Sequence, residues 1–268
     1  SLALIGNSEA KDKPHATVIV GTHHYSPHKT MPKLAAELER LGFDVALINP
    51  QWDAEKDKRG LAGLEILNDT DVAVFFVRFL TLEGGQYQQM IDYVQAGKPV
   101  VCLRTSTHAF NYPETHKNHA LNIDFPRETF GTPYRIHLAG KTEIEVVKGA
   151  EENPILTGVS GKWSSPGTLY LTDTSETIVP LLQGSGSPRG KKASTRTNAF
   201  GTHELKPTMT DTIAWTWQNK WGGKAFTTSL GHPGDFAVPQ SMRVIINGIH
   251  WAAGAQIPAE STEVKTFK

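Results

Sequence analysis

Three short segments concentrate the side chains able to move protons or hold oxygen atoms. GTHHYSPH (21–28) carries His23, His24 and His28; CLRTSTHAF (102–110) carries Arg104, Thr105, Ser106, Thr107 and His108; SLGHPGDF (229–236) carries His232 and Asp235. Neutral imidazole serves as general base, general acid or metal ligand, because its pKa lies near neutrality. A guanidinium is a planar fork of donors that fits a carboxylate, a phosphate, or neighbouring hydroxyl and carbonyl oxygens. Asp235, three residues past His232, is placed to fix that ring's tautomer. Gly231, Pro233 and Gly234 make a tight turn that aims His232 outward. His23, His24 and His28 are also the candidates for a divalent metal, although no carboxylate stands beside them to orient the rings. A lone loop histidine is more often solvated or structural. Three such clusters in one chain favour a site that they build jointly.

The elements that must position these clusters follow from the apolar pattern. Ala16–Gly21, Phe43–Ile48, Val72–Val77 and Pro99–Leu103 are short apolar runs suited to strands buried on both faces. Between them, Met31, Leu34, Leu38 and Leu41 mark an amphipathic helix, with Pro32 expected in its first turn and Gly42 just past its end. A short helix around Leu61, Leu64 and Leu67 and a longer one over Glu83–Ala96 complete the alternation. Strand and helix in turn imply right-handed βαβ units, a parallel sheet, and helices on both faces. Ligands of such sheets bind beyond the carboxyl ends of the strands, which is where all three clusters fall.

Residues 111–210 read differently, as loops rich in Pro, Gly, Asn and Thr with β-like runs at Glu143–Val147, Thr168–Leu171 and Thr177–Leu182. The stretch QGSGSPRGKKASTRTN (183–198) reads as a surface loop that is able to reach over a site. Order returns with strands at Thr212–Gln218 and Lys224–Leu230 and a helix over Pro239–Ala253. The expectation is an N-terminal arm (1–15), one α/β domain (16–257) with 111–210 as a long decorated insertion, and a C-terminal tail (258–268).

Whole-chain properties close off several classes. With 27 basic and 27 acidic side chains in 268 residues, the electrostatic footprint of a nucleic-acid binder is missing. Val72–Val77 is the longest strongly apolar run, too short for a bilayer span. One cysteine excludes an internal disulfide framework and a thiolate zinc cluster. There is no GxxxxGK[ST], GxGxxG, HExxH or GxSxG signature, which argues against a phosphate loop, a dinucleotide fingerprint, a zincin helix and a serine nucleophile elbow. The chain opens at Ser1, which leaves cytoplasmic and exported settings both open.

GKPVVCLRTSTHAF (97–110), KAFTTSLGHPGDF (224–236) and NGIHWAAG (247–254) together resemble the ThuA-like, trehalose-utilisation family, over most of residues 16–254. The resemblance implies a flavodoxin-like, doubly wound, mainly parallel sheet related to the class I glutamine amidotransferases. It sets GKPVVCLR on the strand that ends in the amidotransferase nucleophile elbow and GHPGD on the later His-Pro-Glu segment. Arg104 then occupies the nucleophile position, and Cys102 lies inside the strand as a small buried hydrophobe, so glutaminase chemistry is not expected. His24 matches a histidine after the family's first strand, and His137 one in its middle region. His250 is expected to be packed.

The family connection points to disaccharides and oxidised sugars. The leading expectation is an enzyme acting on a disaccharide or keto-sugar derivative, as an isomerase, lyase or hydrolase. His24, His108 and His232 would handle protons and Asp235 would orient His232, while Arg104, Thr105, Ser106, Tyr25, Phe110 and His137 would bind substrate. Tyr112 and Trp163 are further aromatic candidates for stacking on a sugar. The alternatives are a non-catalytic sugar-binding or assembly module on a degenerate amidotransferase fold, and a metal-dependent hydrolase built on the histidine-rich loop. The expected partner is a small carbohydrate, with self-association left open and no resident cofactor other than that metal.

Overall fold

The computed structural model describes residues 13–49 and 60–268. Most of the expected N-terminal arm lies outside these residues. In chain order the elements are β1 (His15–Gly21), α1 (Pro27–Arg40), β2 (Asp44–Ile48), β3 (Val72–Val77), α2 (Gly84–Gln95), β4 (Val100–Leu103), α3 (Leu121–Phe130), β5 (Tyr134–His137), β6 (Ala139–Val146), β7 (Lys162–Ser165), β8 (Tyr170–Thr172), β9 (Val179–Ser187), β10 (Ser194–Asn198), β11 (Gly201–Leu205), β12 (Met209–Gln218), β13 (Lys224–Thr228) and α4 (Pro239–Ala252). Short 3-10 segments at Leu64–Asp69, Arg104–His108 and Pro233–Ala237 lie between them.

Nine strands form one sheet in the order β2-β1-β3-β4-β13-β12-β9-β6-β7. The first five are parallel neighbours, the flavodoxin-like arrangement. β3 is wholly buried because helices cover both faces, which is why VAVFFV shows no alternation. One face packs on α1 and α4 through Met31, Leu34, Leu38, Met242, Ile245 and Ile249. The other packs on α2 and α3 through Met90, Ile91, Val94, Phe125 and Phe130.

The structure corrects the reading of the middle region. The β-like runs at Glu143–Val147 and Thr177–Leu182 and the strand at Thr212–Gln218 do fall in strands, but these are not decorations on loops: β12, β9, β6 and β7 continue the main sheet in antiparallel sense. The expected loop 183–198 supplies the end of β9, which pairs with β6 and β12, and the whole of β10, one arm of a β10–β11 hairpin. Pro32 lies inside α1, whose first-turn proline is Pro27. The C-terminal tail is anchored: Phe267 stacks on Phe236, with centroids 5.2 Å apart, and the Lys265 amide donates to Glu37 Oε1. Among the described residues no helix is long and apolar enough to cross a membrane.

Candidate functional site

β1 and β3 lie so close that a Cβ on Gly21 would meet Val77 Cγ1 at 2.8 Å. The chain leaves β1 through Thr22–Ser26, where Tyr25 (φ 67°) and Ser26 (φ 54°) are both left-handed. Phe79 (φ 53°) follows β3 and Arg104 (φ 44°) follows β4, also left-handed. Such conformations cost on the order of 1–3 kcal/mol for a residue with a side chain, and they gather where a structure must aim particular groups. Among the described residues only Lys191 shares this conformation away from the carboxyl edge of the sheet. That edge is where the chain spends its strain.

Arg104 stands at the elbow with 1% of its surface exposed. Its Nη1 donates to the Ser229 carbonyl at 2.8 Å and its Nη2 to Thr168 Oγ1 at 3.5 Å. The guanidinium carbon lies 4.1 Å from the centre of the Tyr25 ring and 4.6 Å from that of Tyr170. Gly167 and Gly231 permit this packing, since a Cβ on the first would meet Arg104 Nη1 at 2.8 Å and on the second Arg104 Cβ at 3.2 Å. Among the described residues no carboxylate forms an ion pair with Arg104, and its Nε is buried without a partner.

His232 lies beside the same cluster, its ring centre 5.7 Å from that of Tyr25. The Gly234 amide donates to its Nδ1 at 3.1 Å, so the proton of the neutral ring sits on Nε2. This corrects the role expected of Asp235. Its Oδ2 accepts from the amides of Gly231 and His232, both at 2.9 Å, and its Oδ1 accepts from Ser165 Oγ. Asp235 therefore fixes the backbone of the turn, and the turn orients the ring. Burial, with the charge of Arg104, lowers the His232 pKa against a smaller opposing effect of Asp235.

His108 is buried beneath the edge, its ring 4.4 Å from Tyr134 and 5.1 Å from Phe79 between centroids. Burial, then the charges of Arg78 and other neighbours, push its pKa well below the ordinary value, which leaves a neutral ring. His137 takes part in a 2.7 Å hydrogen bond between its Nδ1 and Tyr134 Oη, and Arg196 of β10 donates to its carbonyl. Its pKa is lowered too, by burial and then by Arg196, Arg104 and Arg78. Phe200, at the tip of the β10–β11 hairpin, reaches Tyr134 at 5.2 Å.

Several expected ligand-facing groups turn out to be braces. Thr105 Oγ1 donates to the Val77 carbonyl, and Ser106 Oγ donates to Phe75 and accepts from the Val77 amide. Those hydroxyls stitch the elbow to β3. Phe110 and Tyr112 are core residues packed with Phe125, and Trp163 is buried with its Nε1 donating to Ser241 Oγ. The rings of His23 and His28 lie 4.1 Å apart between centroids, tilted by 42°, and His24 lies edge-on to Tyr25. Among the described residues no group of three or more His, Cys, Asp or Glu is placed to hold a metal ion. His250 packs on Phe43 with its Nδ1 at the Gln256 carbonyl.

The structure thus brings His24, Tyr25, Arg104, His108, His137 and His232 to one edge. The sequence reading missed Thr168 and Tyr170, which arrive from the antiparallel arm, and Arg78 and Phe79, which the strand-end rule applied to β3 finds. His24 is exposed, Tyr25, His137, Thr168 and His232 are partly exposed, and Arg104 and His108 are buried behind them.

Solved structures of ThuA-like proteins are among those that share the fold. A ThuA-like protein from Parabacteroides merdae aligns with TM-score 0.61 at 16% identity, covering 93% of this chain and 96% of that one. One from Bacteroides uniformis aligns with TM-score 0.58 at 13% identity, covering 92% and 95%. No curated protein sequence matches. The family model for ThuA, trehalose utilisation, matches residues 15–252, so strand, elbow and histidine turn all lie within its span and the chain belongs to that family.

Proposed function

We propose that this protein acts on a disaccharide or keto-sugar derivative at the carboxyl edge of its parallel strands, by acid–base chemistry and without glutaminase activity. The family's link to trehalose utilisation supports the substrate class. One observation carries the chemistry: a buried guanidinium with no carboxylate partner lies under a rim of partly exposed titratable side chains. Such a positive charge in a low-dielectric setting stabilises negative charge that develops on a bound oxygen. His232 offers Nε2–H as a hydrogen-bond or proton donor to that oxygen, with its ring orientation set by the Gly234 amide. His24 lies against Tyr25, and His137 against Tyr134 and Tyr170. A cavity of about 340 Å³ bounded by His137, Pro188, Arg189, Ser194 and Arg196 adjoins the site through His137 and gives a second sugar ring somewhere to sit.

Cys102 supports the absence of glutaminase chemistry. It lies inside β4, fully buried, and burial drives its thiol pKa well up, away from the thiolate a nucleophile requires.

The test pairs calorimetry with turnover on a ring-ketone derivative of trehalose, with trehalose as control. Wild type should bind and convert the ketone, and His232→Ala should bind it while losing roughly 10²-fold in turnover, the scale of a lost general acid or base. Full turnover by His232→Ala would remove His232 from the chemistry. Binding without turnover by the wild type would make the protein a sugar-binding module.

A further inference from the structure

We propose that Tyr25 is a second catalytic residue of this site, the group that takes a proton from the ligand, and that Arg104 is its positioning residue. The proposal rests on the acid–base reading given above. Arg104 is buried, so a ligand meets Tyr25 first, and Tyr25 is partly exposed directly above it. Consecutive left-handed residues, Tyr25 and Ser26, fold the loop back so that the ring lies 4.1 Å from the guanidinium carbon. A loop built only to connect β1 with α1 has no need of two such conformations in succession.

The groups facing the phenol come from every neighbouring element. Arg104 stands at the end of β4, Tyr170 in β8 with Thr168 just before it, His232 beyond β13, and His24 in the same loop. Burial alone would raise the phenol's pKa. The charge and hydrogen bond of Arg104, with the hydroxyls of Tyr170 and Thr168, outweigh it and bring the pKa below the ordinary value of 10.0. Tyr170, more deeply buried, moves the opposite way. Two phenols against one guanidinium thus divide into a potential base and a hydrogen-bond donor.

The step is a proton transfer. The Tyr25 phenolate oxygen forms an O–H bond with the hydrogen on the carbon next to a ring ketone, and that C–H bond breaks. The C–H electron pair becomes the new carbon–carbon π bond, and the carbonyl π pair moves onto oxygen as an enolate. Nε2–H of His232 donates a hydrogen bond to that enolate oxygen. Exchange of the phenol proton with solvent and its return from Tyr25 to the same face of the same carbon complete a hydrogen exchange with no net change in the ligand.

The experiment has two readouts on the whole chain. Tyrosines labelled with ¹³C at Cζ are titrated by NMR, the Tyr25 signal being the one absent from Tyr25→Phe. The second readout is deuterium uptake beside the carbonyl of the trehalose ring ketone in D₂O. The Tyr25 signal should titrate below pH 10 and move up in Arg104→Met. Tyr25→Phe should bind the ketone within a few-fold of wild type and lose roughly 10²-fold in exchange. Titration at or above the ordinary value, or exchange unchanged in Tyr25→Phe, overturns the proposal. If wild type exchanges nothing, the carbohydrate reading falls, and the titration alone decides Tyr25.

Discussion

A cation sealed under an aromatic rim is the residue-scale fact from which the chemistry follows. Arg104 is among the largest fully buried side chains, yet its direct partners are a carbonyl, a hydroxyl and two phenol rings. Moving such a charge out of water is costly, and without a carboxylate the cost is met by polar and π contacts. Burial, and after it nearby positive charge that includes Arg104, lowers the pKa of His108, His137 and His232, which keeps these rings neutral near pH 7. Two positions upstream, Cys102 is buried in the core on the face covered by α2 and α3. Cys102→Ser should leave turnover within a few-fold of wild type. It should lower stability in urea unfolding by about 1–3 kcal/mol, the penalty for a buried hydroxyl without a partner. Loss of turnover with unchanged stability would make Cys102 a reacting group.

At the scale of elements, glycine decides how closely helix and strand approach. Gly248 sits inside α4, where alanine would ordinarily gain about 1 kcal/mol of helix propensity. A Cβ there would stand 2.1 Å from Phe226 Cε1 of β13, a contact no rotamer relieves because the ring is locked in the core. Gly248→Ala should therefore destabilise, by about 1–3 kcal/mol net, as overpacking does. A rise in melting temperature would show that α4 and β13 are free to separate. The parallel strands and α1, α2 and α4 were legible because buried strands are apolar runs and buried helix faces repeat at 3.6 residues. The antiparallel arm was legible only in part: β12 and portions of β6, β8 and β9 read as strands, while β5, β7, β10, β11 and the far end of β9 did not. In β9, Gly184 and Gly186 stand where larger residues would collide with Thr142, Ile213 and Leu169, so a core strand reads as a flexible loop. α3 hid behind Pro126 and a weak apolar stripe. The same limit applies to the site: Tyr25, Arg104 and His232 follow parallel strands and could be found, whereas Thr168 and Tyr170 belong to a β-like run that follows no parallel strand, so nothing local aims them at the edge. Thr105 and Ser106 misled because a polar side chain bonded to a neighbouring backbone looks, in sequence, like one waiting for a ligand.

The whole molecule joins a five-stranded parallel layer to an antiparallel extension of the same sheet, and Thr168, Tyr170 and Phe200 of that region reach Arg104 and His108 at the carboxyl edge. Burial depresses the pKa of His108, His137, His232 and His250 below the ordinary 6.5. The unfolded chain then binds more protons than the folded one below about pH 6.5, so stability is full above that value and falls as the solution is acidified through it. The melting temperature should hold from pH 8 to 7 and drop steadily from pH 6.5 to 5; a flat profile over that range would mean these rings protonate freely in the fold. The central claim is the location of the site, and a crystal structure with the trehalose ring ketone bound tests it most directly. The account predicts the ketone oxygen within hydrogen-bond distance of His232 Nε2, with Tyr25 against the adjacent carbon. A ligand seated elsewhere, with Tyr25 and His232 untouched, would contradict it.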